Sequence, residues 1–251
     1  MINYPRGLVG KAQHRDWLNL VSPEGPFLSI PVLNQVFPNG IDRPEQRSAD
    51  VANLMDAHKL WRKKAVEQHE AWIRTVLTIG AKWPVDQVLF KDEVPSEFEF
   101  GFPEHGTTLK PWAVLFDSSN KAGRAPVMLV STVPIGQDLR AVPLDGWAAS
   151  PIDRLARLLR RSKVQVGLVT DGRWWAVVWA DSTTSTASAI FDSRVWNEEL
   201  LMRDAFFSLV GIKRQIGVDE NDRLPQLFQR SLIQQEEITE TLGRQVRQAV
   251  E

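Results

Sequence analysis

The stretch that decides the fold spans residues 150–175 and reads SPIDRLARLLRRSKVQVGLVTDGRWW. Ser150 and Pro151 are typical of a helix start, with serine as the cap and proline in the first turn. Two apolar runs, 164–170 and 173–179, flank Asp171-Gly172, and Asp-Gly between such runs is a strong hairpin signal. We therefore predict a helix followed directly by a β-hairpin, as in an α/β protein.

Upstream of this stretch, the pattern predicts one long helix and then several strands. Over residues 48–79 apolar side chains recur at helical spacing, with Ser48 or Asp50 as the cap and Gly80 as the stop. Runs 87–90, 97–100 and 111–117 have strand character, and run 126–133 is continuously apolar, which is typical of a strand covered on both faces. Residues 189–192 predict a further strand after the hairpin.

The two ends of the chain differ from this middle part. Residues 1–47 are rich in proline and glycine and predict an extended arm, with room for one short helix, that lies over the rest. Residues 196–251 predict helices, the last of which carries Ile238, Leu242, Val246 and Val250 as a narrow apolar stripe. Because no Gly, Asn or Pro stops that helix, we expect 196–251 to continue into a further domain. Residues 48–195 form the predicted α/β domain between these two segments.

Composition limits the classes of function. The chain has 251 residues, 43% hydrophobic and 24% charged, which is ordinary for a folded protein. It has no cysteine, which excludes a disulfide scaffold, a zinc ribbon and a thiol nucleophile, and which suits the cytoplasm. No run is apolar and long enough for a membrane helix, and the start lacks a signal-peptide pattern, so we expect no membrane partner. With 30 basic and 31 acidic residues, any nucleic-acid contact must come from a local patch.

Common catalytic motifs are absent from the sequence. It contains no phosphate-binding Gly-x-x-x-x-Gly-Lys-Ser/Thr loop, no Gly-x-Gly-x-x-Gly after a strand and no Gly-x-Ser-x-Gly elbow. The four histidines show no pair at metal-ligand spacing with a carboxylate partner. We therefore expect no metal site built on histidine in this chain.

The order of elements resembles the PD-(D/E)xK nuclease fold, as in the N-terminal nuclease domain of type I restriction motor subunits. The similarity covers roughly residues 50–195: a long helix with Glu70, strands, Asp117 at a strand end, a buried strand, a basic helix and the Gly-Leu-Val-Thr-Asp-Gly hairpin. In that family the hairpin commonly has Asn where this chain has Asp171. The resemblance implies a restriction-endonuclease-like central mixed sheet flanked by helices, with the extended N-terminal arm and a long C-terminal helix added.

The same resemblance implies a metal-dependent chemistry, which this sequence departs from. In the family an Asp and a Glu bind Mg²⁺, and a Lys two residues after the Glu helps to activate water. Asp117 matches the first Asp and Glu70 an accessory acid, but the next strand has neither Glu nor Lys. We expect the fold to be kept and the nuclease site to be vestigial, with Asp117 alternatively serving only to start the turn that follows it.

Three segments also resemble the N-terminal region of large adenine-specific DNA methyltransferases of bacterial restriction and phage-defence systems. They are residues 27–38, 150–175 and 242–251. The resemblance implies a degenerate nuclease-like domain placed before a methyltransferase domain. The Asn/Asp-Pro-Pro-Tyr/Phe motif that would hold a flipped adenine is missing here. S-adenosylmethionine is therefore expected as the cofactor of a domain beyond residue 251, and no cofactor is expected in this chain.

Three hypotheses about function follow. The first is a non-catalytic module, contacting double-stranded DNA or acting as a scaffold with other defence subunits, whose basic side chains form a patch on one side. These predicted DNA-binding residues are Arg62, Lys63, Lys64, Arg154, Arg157, Arg160, Arg161 and Lys163. The second is an active Mg²⁺-dependent endonuclease using Glu70, Asp117 and one of Asp92, Glu93 or Glu99. The third is a protein-interaction module with no nucleic-acid role, which docks through the 238–250 stripe and exposed tryptophans.

Overall fold

A seven-stranded mixed sheet forms the centre of the fold. The computed structural model describes residues 6–42, 48–119, 123–183 and 185–250. The strands are β1 (Ser22–Glu24), β2 (Val88–Phe90), β3 (Phe100–Phe102), β4 (Thr107–Leu109), β5 (Ala113–Asp117), β6 (Ala125–Thr132), β7 (Val166–Thr170), β8 (Trp174–Ala180) and β9 (Thr186–Asp192). The sheet order is β1-β9-β8-β7-β6-β5-β2, and β3 and β4 form a separate two-stranded sheet.

The described residues form eight α-helices around this sheet. They are α1 (Arg6–Leu20), α2 (Ile30–Val36), α3 (Ala49–Lys63), α4 (Ala65–Thr75), α5 (Pro151–Ser162), α6 (Leu200–Val210), α7 (Ile212–Ile216) and α8 (Leu224–Val250). Within the described residues only β6 and β7 pair in parallel, and α5 connects them. A parallel pair needs such a crossover, whereas antiparallel neighbours such as β7 and β8 need only a tight turn.

The predicted stretch from 150 to 175 is confirmed. Ser150 caps α5, because its hydroxyl oxygen accepts a hydrogen bond from the Asp153 backbone N–H. The Asp153 carboxylate accepts one from the Ser150 backbone N–H, which completes a capping box. The hairpin closes at Asp171-Gly172, with Thr170 opposite Trp175. Gly172 has φ +90°, a conformation that glycine adopts without steric cost. The mixed α/β class and the C-terminal helix are likewise as expected.

The two faces of the sheet carry different layers. Alternate residues of a strand point to opposite faces, so Val177 and Val178 on β8 belong to separate apolar clusters. The Val177 cluster packs against α1, α3, α4, α6 and the start of α8. The Val178 cluster packs against α5 through Leu155, Leu158 and Leu159. The Val177 cluster also contains Phe27, Trp179 and Phe228, so one core joins the N-terminal segment, the sheet and α8.

The expectation of an extended N-terminal arm is wrong for the described residues, because α1 and α2 are helical. Pro31 lies in the first turn of α2, where proline is tolerated, and Ser29 caps that helix. The α1 sequence has two glycines and weak periodicity, yet Trp17 and His14 are fully buried. His14 also bonds to the Phe37 carbonyl oxygen at 2.9 Å. Contacts with the rest of the protein therefore stabilise a helix that propensity alone does not predict.

The single long helix expected over 48–79 is divided into α3 and α4. Ser48 is the N-cap of α3, as predicted. Lys64 then leaves the helical region, with φ −137° and ψ 56°. Across this turn Trp61 of α3 and Trp72 of α4 stack on each other, with ring centroids 5.6 Å apart. After α4 the helix widens into a π-helical turn, Val76–Gly80.

The strand expected over 97–100 is also displaced. Residues Ser96–Phe98 form a 3₁₀ turn, and the strand β3 begins only at Phe100. The remaining strands expected upstream and downstream of α5 lie within one to three residues of their predicted bounds. None of the helices in the described ranges is long and apolar enough to cross a bilayer.

Candidate nucleic-acid interface

Glu70 lies on α4 and is held by two cations. Its Oε1 accepts hydrogen bonds from Arg74 at 3.0 and 3.2 Å, and its Oε2 pairs with Lys91 Nζ. The Lys91 hydrogen bond, with help from Arg74, lowers the pKa of the Glu70 carboxyl. The Arg74 guanidinium in turn lies 3.8 Å from the centroid of the Phe90 ring. Glu70 is therefore an ionised carboxylate whose oxygens already have cationic partners.

Asp117 is the last residue of β5 and starts a local turn. Its Oδ1 accepts hydrogen bonds from the backbone N–H and hydroxyl of Ser119, at 2.8 and 2.5 Å. Lys91, the partner of Glu70, donates its backbone N–H to Trp112, which precedes β5. Glu70 and Asp117 thus have separate hydrogen-bond partners, and Asp117 has the turn-starting role that the sequence left open.

Asp92, Glu93 and Glu99 are the candidate replacements for the missing Glu of the nuclease motif, and they do not complete a metal site among the described residues. Glu93 accepts a hydrogen bond from the Phe90 backbone N–H, whereas Asp92 and Glu99 are exposed. The end of β6 presents Ser131 and Thr132 instead of a carboxylate. Across the described residues there is no group of three or more His, Asp or Glu side chains placed to hold a metal ion.

A cavity of about 560 Å³ lies where β6 ends and α5 begins. Ligands of open α/β sheets commonly bind at the carboxyl ends of strands, beside such a crossover. Three cations line it: Lys91, which pairs with Glu70; Arg154, which pairs with Asp145; and Lys110. Lys91 has φ +49°, in the left-handed region that a lysine rarely adopts. We refer to this as the strand-end cavity.

The two predicted basic clusters lie on opposite faces of the sheet. Arg62, Lys63 and Lys64 follow the buried Trp61 at the end of α3, on the face covered by α1, α3 and α4. All three are exposed, and Lys64 pairs with Glu67 at 3.1 Å. The remaining five cations belong to α5 and its C-cap on the other face. The expectation of a single basic patch is therefore wrong, because α3 and α5 bury their apolar sides against different faces.

Two of the α5 arginines have structural roles. Arg154 forms a bidentate pair with Asp145, with both N–O distances 2.6 Å, and also donates to the Ala149 carbonyl oxygen. This pair lowers the pKa of the Asp145 carboxyl to about 2. Arg160 donates to the Asp181 carbonyl oxygen at 3.1 Å, to the Ser185 carbonyl oxygen and to the hydroxyl of Thr186, the first residue of β9. These bonds attach α5 to its neighbouring loops, so neither guanidinium is fully available to a ligand.

The other three cations, Arg157, Arg161 and Lys163, remain exposed. None of them forms an ion pair with a carboxylate of the described residues. Arg157 and Arg161 are four residues apart, so they are neighbours on the helix, with Cβ atoms ~6 Å apart. We call these three residues the α5 cationic face. Arg62 and Lys63 of α3 are likewise exposed and form no ion pair with a carboxylate of the described residues, so the lack of an acidic partner does not by itself distinguish the α5 cationic face.

Aromatic rings that the sequence reasoning missed support this face. The Trp147 ring is largely buried and lies 5.4 Å from the Arg157 guanidinium, and the Phe102 ring lies 5.7 Å from that of Arg161. His105 stacks on Trp147, with centroids 4.6 Å apart. A cation over an aromatic face is attracted to it and is partly fixed in position. The one available signal was the position of Trp147, three residues before the helix cap.

Comparisons with known proteins do not identify a relative. The chain matches no protein-family model, no curated protein and no solved structure. The geometry of the described residues therefore carries the functional argument.

Proposed function

We propose that this chain is a non-catalytic DNA-contacting module with a restriction-endonuclease-like fold, belonging to a bacterial DNA modification or restriction methyltransferase. The order α4, β2, β5, β6, α5 and β7 supports this fold, since it is the order of elements on which the resemblance rests. The partners that Glu70 and Asp117 already have, Lys91 and Ser119 respectively, support the non-catalytic part of the proposal.

The observation that carries the proposal is the α5 cationic face. Arg157, Arg161 and Lys163 are exposed without a carboxylate partner, and buried rings hold the two arginines. DNA carries regularly spaced phosphates, and cations that neutralise them release counterions. Contacts of this kind position a protein on the duplex but do not read its sequence. We therefore expect sequence-independent binding that weakens steeply with salt.

Fluorescence anisotropy with a labelled duplex tests this proposal. Binding constants are measured from about 50 to 200 mM salt for the wild-type chain and for the triple variant Arg157→Gln, Arg161→Gln, Lys163→Gln. Loss of three phosphate contacts should reduce the slope of log K against log salt by roughly 2–3. The matched control is Arg62→Gln with Lys63→Gln, which removes exposed cations from the opposite face.

Two results would contradict the proposal. Absence of duplex binding by the wild-type chain at the lowest salt would exclude the DNA contact. An equal loss of affinity in the α3 control and in the α5 triple variant would exclude the α5 cationic face as its location.

The methyltransferase context is a proposal that rests on the sequence resemblance alone. It places the S-adenosylmethionine site and the adenine pocket in a different part of the parent protein, in the cytoplasm, with other defence subunits as further partners. Sequencing the gene downstream of codon 251 tests it. An Asn/Asp-Pro-Pro-Tyr/Phe motif there would support the context, and a stop codon directly after codon 251 would contradict it.

A second candidate function, protein docking through α8, is favoured by one observation. Ile238, Leu242 and Val246 are 55–63% exposed, and each is one helical turn from the next. The Val250 side chain, the last member of the predicted stripe, lies outside the described residues. Replacement of the three exposed residues by glutamine should abolish co-purification of a partner while leaving duplex binding unchanged. A partner that is retained by this variant would exclude docking by the stripe.

A further inference from the structure

A second cavity, of about 350 Å³, lies on the sheet face opposite to α5. Its walls are formed by α3, the π-helical turn, α6 and α7, and its apolar lining includes Val51, Leu54, Ile79, Phe207 and Ile212. We call it the α6–α7 cavity. Its size is within the range of small-molecule sites, which are mostly apolar with a few polar groups.

Charged side chains also line the α6–α7 cavity, and most of them form pairs. Lys82 pairs with Asp50, Lys213 with Asp42 at 3.4 Å, and Arg203 with Asp204 at 2.8 Å. Each of these three cations therefore has an acidic partner beside the cavity. A fourth cation, Arg214, remains.

Arg214 is buried and forms no ion pair with a carboxylate of the described residues. Its side chain is only 7% exposed, and its Nη1 donates to the Asp222 carbonyl oxygen at 2.7 Å. The guanidinium lies 4.5 Å from the centroid of the Phe37 ring, and its Nε is buried without a hydrogen-bond partner within the described ranges. Burial lowers the pKa of Arg214, whereas the charges of Asp222 and Asp42 act in the opposite direction. A buried charge without a partner is costly, so an anion beside it would be favoured.

The backbone around the α6–α7 cavity has two unusual features. Val76–Gly80 is a π-helical turn, a conformation that is rare and frequent at functional sites. Lys82, two residues later, has φ +63°. Strained backbone of this kind persists where the surrounding structure fixes it, which occurs often around ligand sites. The π-helical turn contributes Ile79 to the apolar lining, and Lys82 lines the same cavity.

We propose that the α6–α7 cavity binds a small amphipathic monoanion, a carboxylate on a hydrocarbon body, with Arg214 as its charge partner. Among the described lining residues Arg214 is the cation without an ion pair, since the other three cations pair with acidic residues, so one negative charge on the ligand matches it. The planar guanidinium matches a carboxylate in shape, and the apolar lining accommodates the hydrocarbon. This site is separate from the α5 cationic face, so it does not depend on the DNA proposal.

Isothermal titration with octanoate tests the inference, with 1-octanol as the uncharged probe of similar length. We expect saturable binding of one octanoate per chain, and binding of octanol weaker by about 10-fold or more, since hydrogen bonds between charged groups are the strong ones. Arg214→Gln should weaken octanoate binding by a similar factor. Arg223→Gln is the matched control, because Arg223 also has a buried Nε without a partner in the described residues but does not line this cavity.

Further variants keep the test decisive. Ser208→Trp fills the α6–α7 cavity while Arg214 is retained, and it should abolish octanoate binding. Glu45 lies in sequence between the lining residues Asp42 and Ser48 and is outside the described residues. The titration is therefore repeated with Glu45→Gln, which removes this carboxylate as a competitor of octanoate for Arg214. Absence of saturable binding in both the wild-type chain and Glu45→Gln overturns the proposal. Equal affinity for octanoate and octanol, or unchanged octanoate affinity in a folded Arg214→Gln variant, also overturns it.

Discussion

Replacement of Gly172 by alanine should destabilise the protein more than the same replacement at Gly146. Both glycines have nearly the same positive φ, +90° and +86°. Holding a non-glycine residue in such a conformation costs about 1–3 kcal/mol, and this cost is common to the two variants. At Gly146 an added Cβ has no heavy atom within 4 Å in the described residues. At Gly172 it would lie 2.9 Å from His69 Cδ2 and 3.3 Å from Trp61 Nε1.

The additional contact at Gly172 has a definite expected cost. Overpacking of a well-filled site typically costs about 1–3 kcal/mol. Trp61 is unable to move away easily because it stacks on Trp72, which itself donates to the Gly172 carbonyl oxygen at 2.7 Å. Gly172→Ala should therefore lose about 1–3 kcal/mol more of the free energy of unfolding than Gly146→Ala.

Urea denaturation monitored by tryptophan fluorescence measures this difference. The two variants are compared at equal m-values, so that a shift of the midpoint reports stability. Adding His69→Ala to Gly172→Ala should restore part of the loss, because it removes the closest contact. Equal destabilisation of Gly172→Ala and Gly146→Ala, within about 0.5 kcal/mol, would show that the packing argument is wrong.

Three further predictions concern buried and bonded charges. Asp204→Leu should lower the free energy of unfolding by about 3–5 kcal/mol, because it removes the ion-pair partner of buried Arg203. Adding Arg203→Met should restore part of the lost stability, as urea titrations would show. Arg160→Ala should lower the free energy of unfolding by about 1–3 kcal/mol, because its hydrogen bonds to residues 181 and 185 are lost. Arg157→Ala should change the free energy of unfolding by no more than about 0.5 kcal/mol, and thermal unfolding of both variants measures the difference. Burial, helped by the Arg62 charge, lowers the pKa of His58 below 6.5, so the unfolded chain binds the proton more readily. Stability should therefore be full above about pH 6.5 and fall as the pH drops from there towards the folded-state pKa, and His58→Gln should flatten this part of a stability–pH profile.

The elements that sequence reasoning located correctly are those fixed by neighbouring residues. The cap at Ser150, the hairpin turn at Asp171-Gly172 and the start of α3 at Ser48 each depend on bonds within three or four residues. Such interactions can be recognised from spacing alone. The basic character of α5 was visible in the same way, so the residues of the α5 cationic face were named before their surroundings were known.

The candidate sites depended on contacts that spacing does not reveal. Arg154 and Arg160 could be separated from Arg157 only when their bonds to distant loops were known. Phe102 and Trp147, which lie beside the arginines, are far from each other in sequence. The α6–α7 cavity combines residues from four elements, and no local pattern predicts that Arg214 is buried in its wall.

The sequence by itself determined the α/β class, most strand positions, and the helix and hairpin between 150 and 175. It could do so because caps, turns and apolar periodicity are local. Tertiary structure alone decided that the N-terminal segment is helical, that the chain turns at Lys64, and that α3 and α5 lie on opposite faces of the sheet. It also gave Glu70 and Asp117 separate partners, Lys91 for Glu70 and Ser119 for Asp117. The physical reason is that each of these outcomes depends on which distant side chains share a buried surface, and that choice is made by packing.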